Sequence, residues 1–190
     1  MSKGKSGQLF VISAPSGTGK TSLVKALTKR EENICLSIST TTRLPRNGEI
    51  NGVDYFFVKK AEFEKIKKSG GFLEWAEVYG NFYGTTVDLI NKNISLGKKI
   101  ILEIDWQGAM QIKKKFSKKN ILSLIFIKPP SLDELYKRLK KRGQDTEKTI
   151  NERLSLASDE IKQSKNFDYV IINDDFEVAL NKLYLIIKNS

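Results

Sequence analysis

The stretch FVISAPSGTGKTSL, Phe10 to Leu23, decides how this chain is read. It passes from an apolar, strand-like run directly into a glycine-rich turn and then into a helical pattern. From Ala14 onward, A-P-S-G-T-G-K-T matches the phosphate-cradle spacing G-x-x-x-x-G-K-[ST] at every position but the first. Gly17 and Gly19 let the backbone turn its N–H groups inward, and Lys20 sets a cation on the β- and γ-phosphates of a nucleotide. The Thr21 hydroxyl is placed to ligate Mg²⁺, and the N-terminus of the following helix adds its positive dipole end. Alanine at position 14 is compatible with the cradle if it keeps an ordinary negative φ, since only a left-handed backbone demands glycine. The nucleoside triphosphate site therefore runs over Ala14, Pro15, Ser16, Gly17, Thr18, Gly19, Lys20, Thr21 and Ser22.

Composition narrows the chemistry. The 190 residues, 39% hydrophobic and 29% charged, suit one globular domain with a sizeable core. No apolar run reaches the ~18 residues of a membrane span, and Met1–Gln8 carries no apolar segment of signal-peptide length, so a cytoplasmic protein is expected. The single cysteine, Cys35, excludes an internal disulfide and a thiolate cluster. With no histidine, any chemistry must run on carboxylates, lysines, arginines, hydroxyls or a bound ion. The net charge of +11 points to anionic partners or to a lysine-rich solvated surface. The cations divide into 27 Lys and 6 Arg. Five of those arginines fall in two patches: Arg43 with Arg46, and Arg138, Arg142 with Arg153. Arginine's planar fork binds oxyanions bidentately as lysine cannot, so the pattern indicates two phosphate-handling sites rather than diffuse nucleic-acid binding.

Further apolar runs at 34–38, 99–104, 121–127 and 169–172 read as strands buried on both faces. Helical segments are expected over 20–29, 107–116, 131–141, 147–162 and 176–187, with Ser131 and Glu134 as a capping box and Gly143 as a C-terminal stop. Strands alternating with helices predict a doubly wound α/β core. Residues 39–97 break the rhythm and read as a small, mostly antiparallel inserted lobe, with hairpin-like turns at Asn51-Gly52 and near Gly80-Asn81. The polar, glycine-containing segment Lys140–Lys148 reads as a moving flap.

Glu103 and Asp105 close the strand in IILEIDWQG. Ligands of such sheets bind beyond the C-terminal strand ends. Either acid can hold the hydration shell of a magnesium ion, or simply cap the next helix. In SISTTTRLPRNGE, Arg43 and Arg46 are spaced to converge on one phosphate, with Ser39 to Thr42 supplying hydroxyls. Tyr55 and Tyr83 are either phenolic donors or packing residues. Glu74, flanked by Phe72, Leu73 and Trp75, either faces solvent or recognises a base. Guanine offers two adjacent donors, N1–H and the 2-amino group, which a carboxylate accepts together; adenine offers neither there. Thr85 or Ser39 would then donate to guanine O6.

At this point the chain resembles guanylate kinase along nearly its whole length, through SAPSGTGKTSL, SISTTTRLPRNGEINGVDYFF, GFLEWAEVYGNFYGTT, ILEIDWQGA and RLKKRGQDTEKTINERL. The resemblance implies a three-layer α/β P-loop fold with a mostly parallel five-stranded sheet, an inserted small α+β GMP-binding lobe and a helical lid. In one domain of 1–190, the core would comprise 1–38, 98–132 and 156–190, the lobe 39–97 and the lid 133–155. It implies phosphoryl transfer from Mg²⁺-bound ATP to GMP or dGMP, with no specific nucleic acid or membrane as partner. By the resemblance, Ser39, Arg43, Arg46, Glu49, Tyr55, Glu74, Tyr83, Thr85, Glu103 and Asp105 line the GMP site. Lys20, Arg43, Arg138, Arg142 and Arg153 act in transfer, Arg142 also touches ATP, and Asn173 lies near the adenine. Thr21 would bind Mg²⁺ directly and Asp105 through water. Ala14 is usual in that family, and Thr85 keeps the hydroxyl of the serine some members carry. The competing readings are a catalytically inactive guanylate-kinase-like binding module, a kinase for another nucleoside monophosphate, and a nucleic-acid-binding protein. The intact Lys20, Thr21, Arg142 and Arg153 argue against the first, and Glu74 with the lobe motifs against the second. No interface signature indicates an oligomeric state.

Overall fold

The computed structural model describes residues 7–116, 121–143 and 145–190; the reading of the N-terminus over Met1–Ser6, and Gln144 within the expected flap, lie outside them. In chain order the elements are β1 (Gln8–Ser13), α1 (Lys20–Arg30), β2 (Ile34–Ser37), β3 (Thr40–Thr41), β4 (Phe56–Phe57), α2 (Lys60–Lys68), β5 (Phe72–Val78) and β6 (Asn81–Thr86). There follow α3 (Val87–Ser95), β7 (Lys99–Glu103), α4 (Trp106–Phe116), β8 (Leu122–Lys128), α5 (Leu132–Arg142), α6 (Glu147–Lys162), β9 (Tyr169–Ile172) and α7 (Phe176–Lys188).

The core sheet has the order β2-β7-β1-β8-β9, and every neighbouring pair is parallel. Alternation along β1 explains the three layers. Phe10 and Ile12 turn to one face, where they pack with Leu23, Val24 and Leu27 of α1 and Leu183 and Ile187 of α7. Leu9 and Val11 turn to the other, against Ile90 of α3 and Ala109 and Ile112 of α4. Both faces are dry, so the strands read as unbroken apolar runs. The expected core strands are all present, with ends shifted by a residue or so as helix and strand ends usually are.

The second sheet, β4-β3-β6-β5, is antiparallel at β3–β6 and β5–β6 but parallel at β3–β4. The Asn51-Gly52 turn is therefore not a hairpin. Gly52, at φ 79°, donates its N–H to the Tyr55 carbonyl at 2.8 Å, and Asn51 Oδ1 accepts from Phe57 N at 2.9 Å, so the loop closes on itself and delivers β4 alongside β3. The other expected turn is a true hairpin, one residue early. Val78 pairs with Asn81, leaving Tyr79 (φ 51°) and Gly80 (φ 72°) as a two-residue loop with both φ positive, the geometry that matches strand twist. Helices α2 and α3 were not legible in the apolar pattern. Phe63 of α2 stacks on Phe72 and Phe82 with ring centroids 4.4 and 5.5 Å away, closing the small sheet's face. Ile90 of α3 packs instead into the main core.

Helices α5 and α6 pack on each other through Leu135, Leu139, Ile150 and Ala157. The Ser131 side chain caps α5 by accepting from Glu134 N at 3.1 Å, and Gly143 ends it at φ 64°. The Glu134 carboxylate pairs forward with Arg138 at 3.3 Å. No described helix is long and apolar enough to cross a membrane.

Candidate active site

The turn between β1 and α1 is built as its glycines require. Gly17 and Gly19 sit at φ 90° and 94°, while Ala14 is not among the left-handed positions. The first-position alanine is therefore accommodated without strain. Each glycine also leaves room for a neighbour. A Cβ at Gly17 would fall 2.7 Å from Leu139 Cδ2, and one at Gly19 would fall 2.6 Å from Asn173 Nδ2. Lys20 Nζ donates to the Ile104 carbonyl at 3.1 Å, and the Thr21 hydroxyl is hydrogen-bonded to Glu103 at the end of β7.

This turn forms one wall of a cleft of about 660 Å³. Of the residues the resemblance places in the ATP and GMP sites, all but Thr18, Thr85 and Asn173 line it. Those three are buried behind it. Asn173 donates to the Thr18 carbonyl at 2.8 Å and its own carbonyl accepts from Arg138 Nη1 at 2.9 Å, so it braces the phosphate loop from beneath. Thr85 donates its hydroxyl to Glu74 Oε1 at 2.6 Å. Asp105 does what a strand-end acid does: its Oδ1 accepts from Gln107 N at 2.7 Å and Gly108 N at 3.2 Å, capping α4.

Five arginines line the cleft: Arg43 and Arg46 from the loop after β3, Arg138 and Arg142 from α5, and Arg153 from α6. Burial, then the nearby Arg46 and Arg153 charges, hold Arg142 below the ordinary arginine value. Convergent cations that raise one another's cost make a site for a polyanion. Arg153 is steadied by Asp145 at 2.8 Å and by the Ser16 hydroxyl at 3.2 Å. Arg43 is held by Glu49 at 2.8 Å and lies over the Tyr55 ring, 5.4 Å from its centroid; Tyr55 in turn meets Tyr83 edge-on at 6.1 Å. The second Glu49 oxygen accepts from Arg46 N at 2.7 Å, so one carboxylate shapes the whole arginine loop. Burial opposes ionisation of Glu49, but its bonds to Arg43 and to Arg46 N prevail and its pKa lies below the usual carboxylate value. Burial and the Glu103 charge push Tyr55 up to about 12, which keeps its phenol a donor.

Glu74 lines the cleft from β5 and is only 2% exposed. Burial pushes it up to about 7 against the opposing hydrogen bond from Thr85. A solvent-facing role is thereby excluded: β5 turns this carboxylate inward.

The cleft also contains residues that the sequence did not flag. Asp54 meets Lys25 of α1 at 2.6 Å, joining lobe to core. Tyr79, at the hairpin tip, lies under Arg153, 5.6 Å from ring centroid to guanidinium carbon. Glu160 lines the cleft from α6 and is pushed up to about 7 by burial. Its spacing from Arg153, two helical turns, was the available signal. Tyr79 had none, because a tyrosine at positive φ does not look like a turn.

Comparison with known proteins agrees with this architecture. The family model described as guanylate kinase matches residues 6–190. A guanylate kinase of Thiobacillus denitrificans is 50% identical over 183 residues, covering 96% of this chain and 86% of that protein. One from Mannheimia succiniciproducens is 50% identical over 185 residues, covering 96% and 88%. The crystal structure of guanylate kinase from Anaplasma phagocytophilum superimposes with a TM-score of 0.81 at 34% identity, covering 97% of this chain and 86% of that one. Matched by that family model over nearly its whole length and by relatives at half identity, the chain belongs to the guanylate kinase family.

Proposed function

We propose that the chain transfers the γ-phosphoryl group of ATP reversibly to GMP or dGMP, giving ADP and GDP or dGDP, as a cytoplasmic enzyme of purine nucleotide metabolism. The observation that carries this reading is a buried carboxylate, Glu74, lining the same cleft as the P-loop and five arginines.

In this reading the P-loop N–H groups and Lys20 bind the donor phosphates, and Arg43 and Arg46 bind the acceptor phosphate. A phosphate monoester has its second pKa near ~6 and is largely dianionic at neutral pH. Its oxygen therefore attacks the γ-phosphorus without a general base, and the P–O bond to the ADP leaving group breaks. No proton needs a carrier, which suits a chain lacking histidine. What remains is alignment and charge neutralisation. Arg142 and Arg153 neutralise the transferring group, with Arg138 holding the segment to Asn173. Segment 133–155 serves as the lid, 39–97 as the acceptor lobe and the rest as core; closure excludes water that would hydrolyse ATP.

Among the described residues no cluster of three or more acidic side chains stands ready to hold a metal alone. The Thr21 hydroxyl beside Glu103 suits a magnesium ion that arrives with its own phosphate ligands, Asp105 contributing through water. A magnesium ion held there would supply charge neutralisation for the donor phosphates.

A coupled ADP-release assay with GMP, AMP, CMP and UMP as acceptors tests the assignment. Turnover is expected with GMP and only marginally with the others; equal activity with AMP would refute base recognition by Glu74.

A further inference from the structure

Glu74 belongs to the lobe, yet what aims it belongs to the core. Strand β5 is an edge of its sheet, so its outward N–H and C=O groups need partners other than a strand. Helix α4 provides them. Gly108, Gln111 and Lys115 recur at i, i+3 and i+7 and so share one face of the helix. Gln111 takes both main-chain groups of Trp75, its Nε2 donating to the carbonyl at 2.6 Å and its Oε1 accepting from the N–H at 3.3 Å. Lys115 Nζ donates to the Leu73 carbonyl. The peptide groups on both sides of Glu74 are thus fixed by one helix.

Three further features point the same way. The β5–β6 register shifts between Phe72 and Glu74, and bulges of this kind re-aim the next side chain. The intervening Leu73 is buried in the main core with Ile104, Ala109 and Ile112. Gly108 leaves the space the carboxylate occupies: a Cβ there would overlap Glu74 Oε2 and stand 3.1 Å from its Cδ. Glycine is a poor helix former, and α4 carries it where the Glu74 carboxylate passes.

We propose that Gly108, Gln111 and Lys115 form a specificity-determining face of α4, positioning Glu74 for the acceptor base without acting on the base themselves. The inference rests on the reading of Glu74 as the group that accepts from guanine. It makes base choice a property of the contact between core and lobe, not of the lobe alone.

The test compares Gln111→Met, Gly108→Ala and Glu74→Gln singly, together with the double variant Glu74→Gln/Gln111→Met and a control, Lys113→Ala, on another face of α4. The readouts are kcat/KM for GMP and for AMP, KM for ATP, and the urea midpoint. Gln111→Met and Gly108→Ala are each expected to lower the GMP:AMP ratio about tenfold or more, through KM for GMP, with KM for ATP within about twofold of wild type. Because Gln111 acts through Glu74, the double variant should discriminate no worse than Glu74→Gln, within about twofold. The inference is overturned if Gln111→Met loses stability but keeps its ratio, or if the double variant's losses multiply. If Glu74→Gln alone keeps the ratio, the base-recognition reading falls and this one with it. Should Gly108→Ala fail to fold, Gln111→Met decides the matter by itself.

Discussion

Glu74→Gln is expected to make the protein more stable at alkaline pH while impairing its choice of base. The native carboxyl titrates at about 7 against an ordinary 4.5, because burial penalises its charged form more than the Thr85 hydrogen bond favours it. The folded state therefore binds more protons than the unfolded chain between those two values. The contribution is fully present below pH 4.5, falls as pH rises through that window and is gone above about 7. Between pH 5 and pH 8 this one group should remove about 2–3 kcal/mol of stability from the wild type. Glutamine carries no titrating proton, and its Oε1 can still accept from Thr85. Urea unfolding of both proteins at pH 5, 6, 7 and 8 gives the result. The difference between the two curves should widen by that amount in favour of the variant, and Glu160, which titrates in the same range, cancels because both proteins contain it. Curves that stay parallel would refute the argument that Glu74 is buried at a cost. The same protonation governs binding. Guanine needs the carboxylate, so GMP affinity should climb with pH up to about 7 and flatten beyond it. The variant should lose GMP:AMP discrimination by about a hundredfold.

Arg142→Ala should lower kcat by about 10²–10³ while the GMP Kd, measured by calorimetry, changes less than about threefold; equal losses in both would place Arg142 in acceptor binding instead. Lys20→Met should abolish most turnover and weaken ATP, leaving GMP binding intact; an unchanged kcat would remove Lys20 from the transfer site. Glu49→Gln loosens the carboxylate that holds Arg43 at 2.8 Å and the Arg46 N–H at 2.7 Å. KM for GMP should rise about tenfold at constant KM for ATP, and a shift in both constants would indicate a general structural role.

Sequence alone determined what is local. The phosphate loop was legible because its requirements are met within one short stretch: positive φ at Gly17 and Gly19, a strand before and a helix after. The five core strands were legible because burial on both faces leaves unbroken apolar runs. The caps at Ser131 and Gly143 were legible because capping is a contact with the next turn. The grouping of arginines was legible too, but that both groups line one cleft is a product of the fold.

Tertiary structure decided what depends on distant neighbours. The order β2-β7-β1-β8-β9 is not the chain order, and no local pattern dictates it. The amphipathic stripes of α2 and α3 went unread because one covers a small sheet and the other a core that only the folded chain assembles. Asn173 braces the loop through Thr18, and Thr85 gives its proton to Glu74; each of these partners lies outside the side chain's own segment. Glu74 shows the division most clearly. Its flanking apolar residues left it undecided between solvent and a site, because alternation tells which residues share a face but not which face is covered. The packing of α4 against β5 covers it, and burial there raises the carboxyl to about 7.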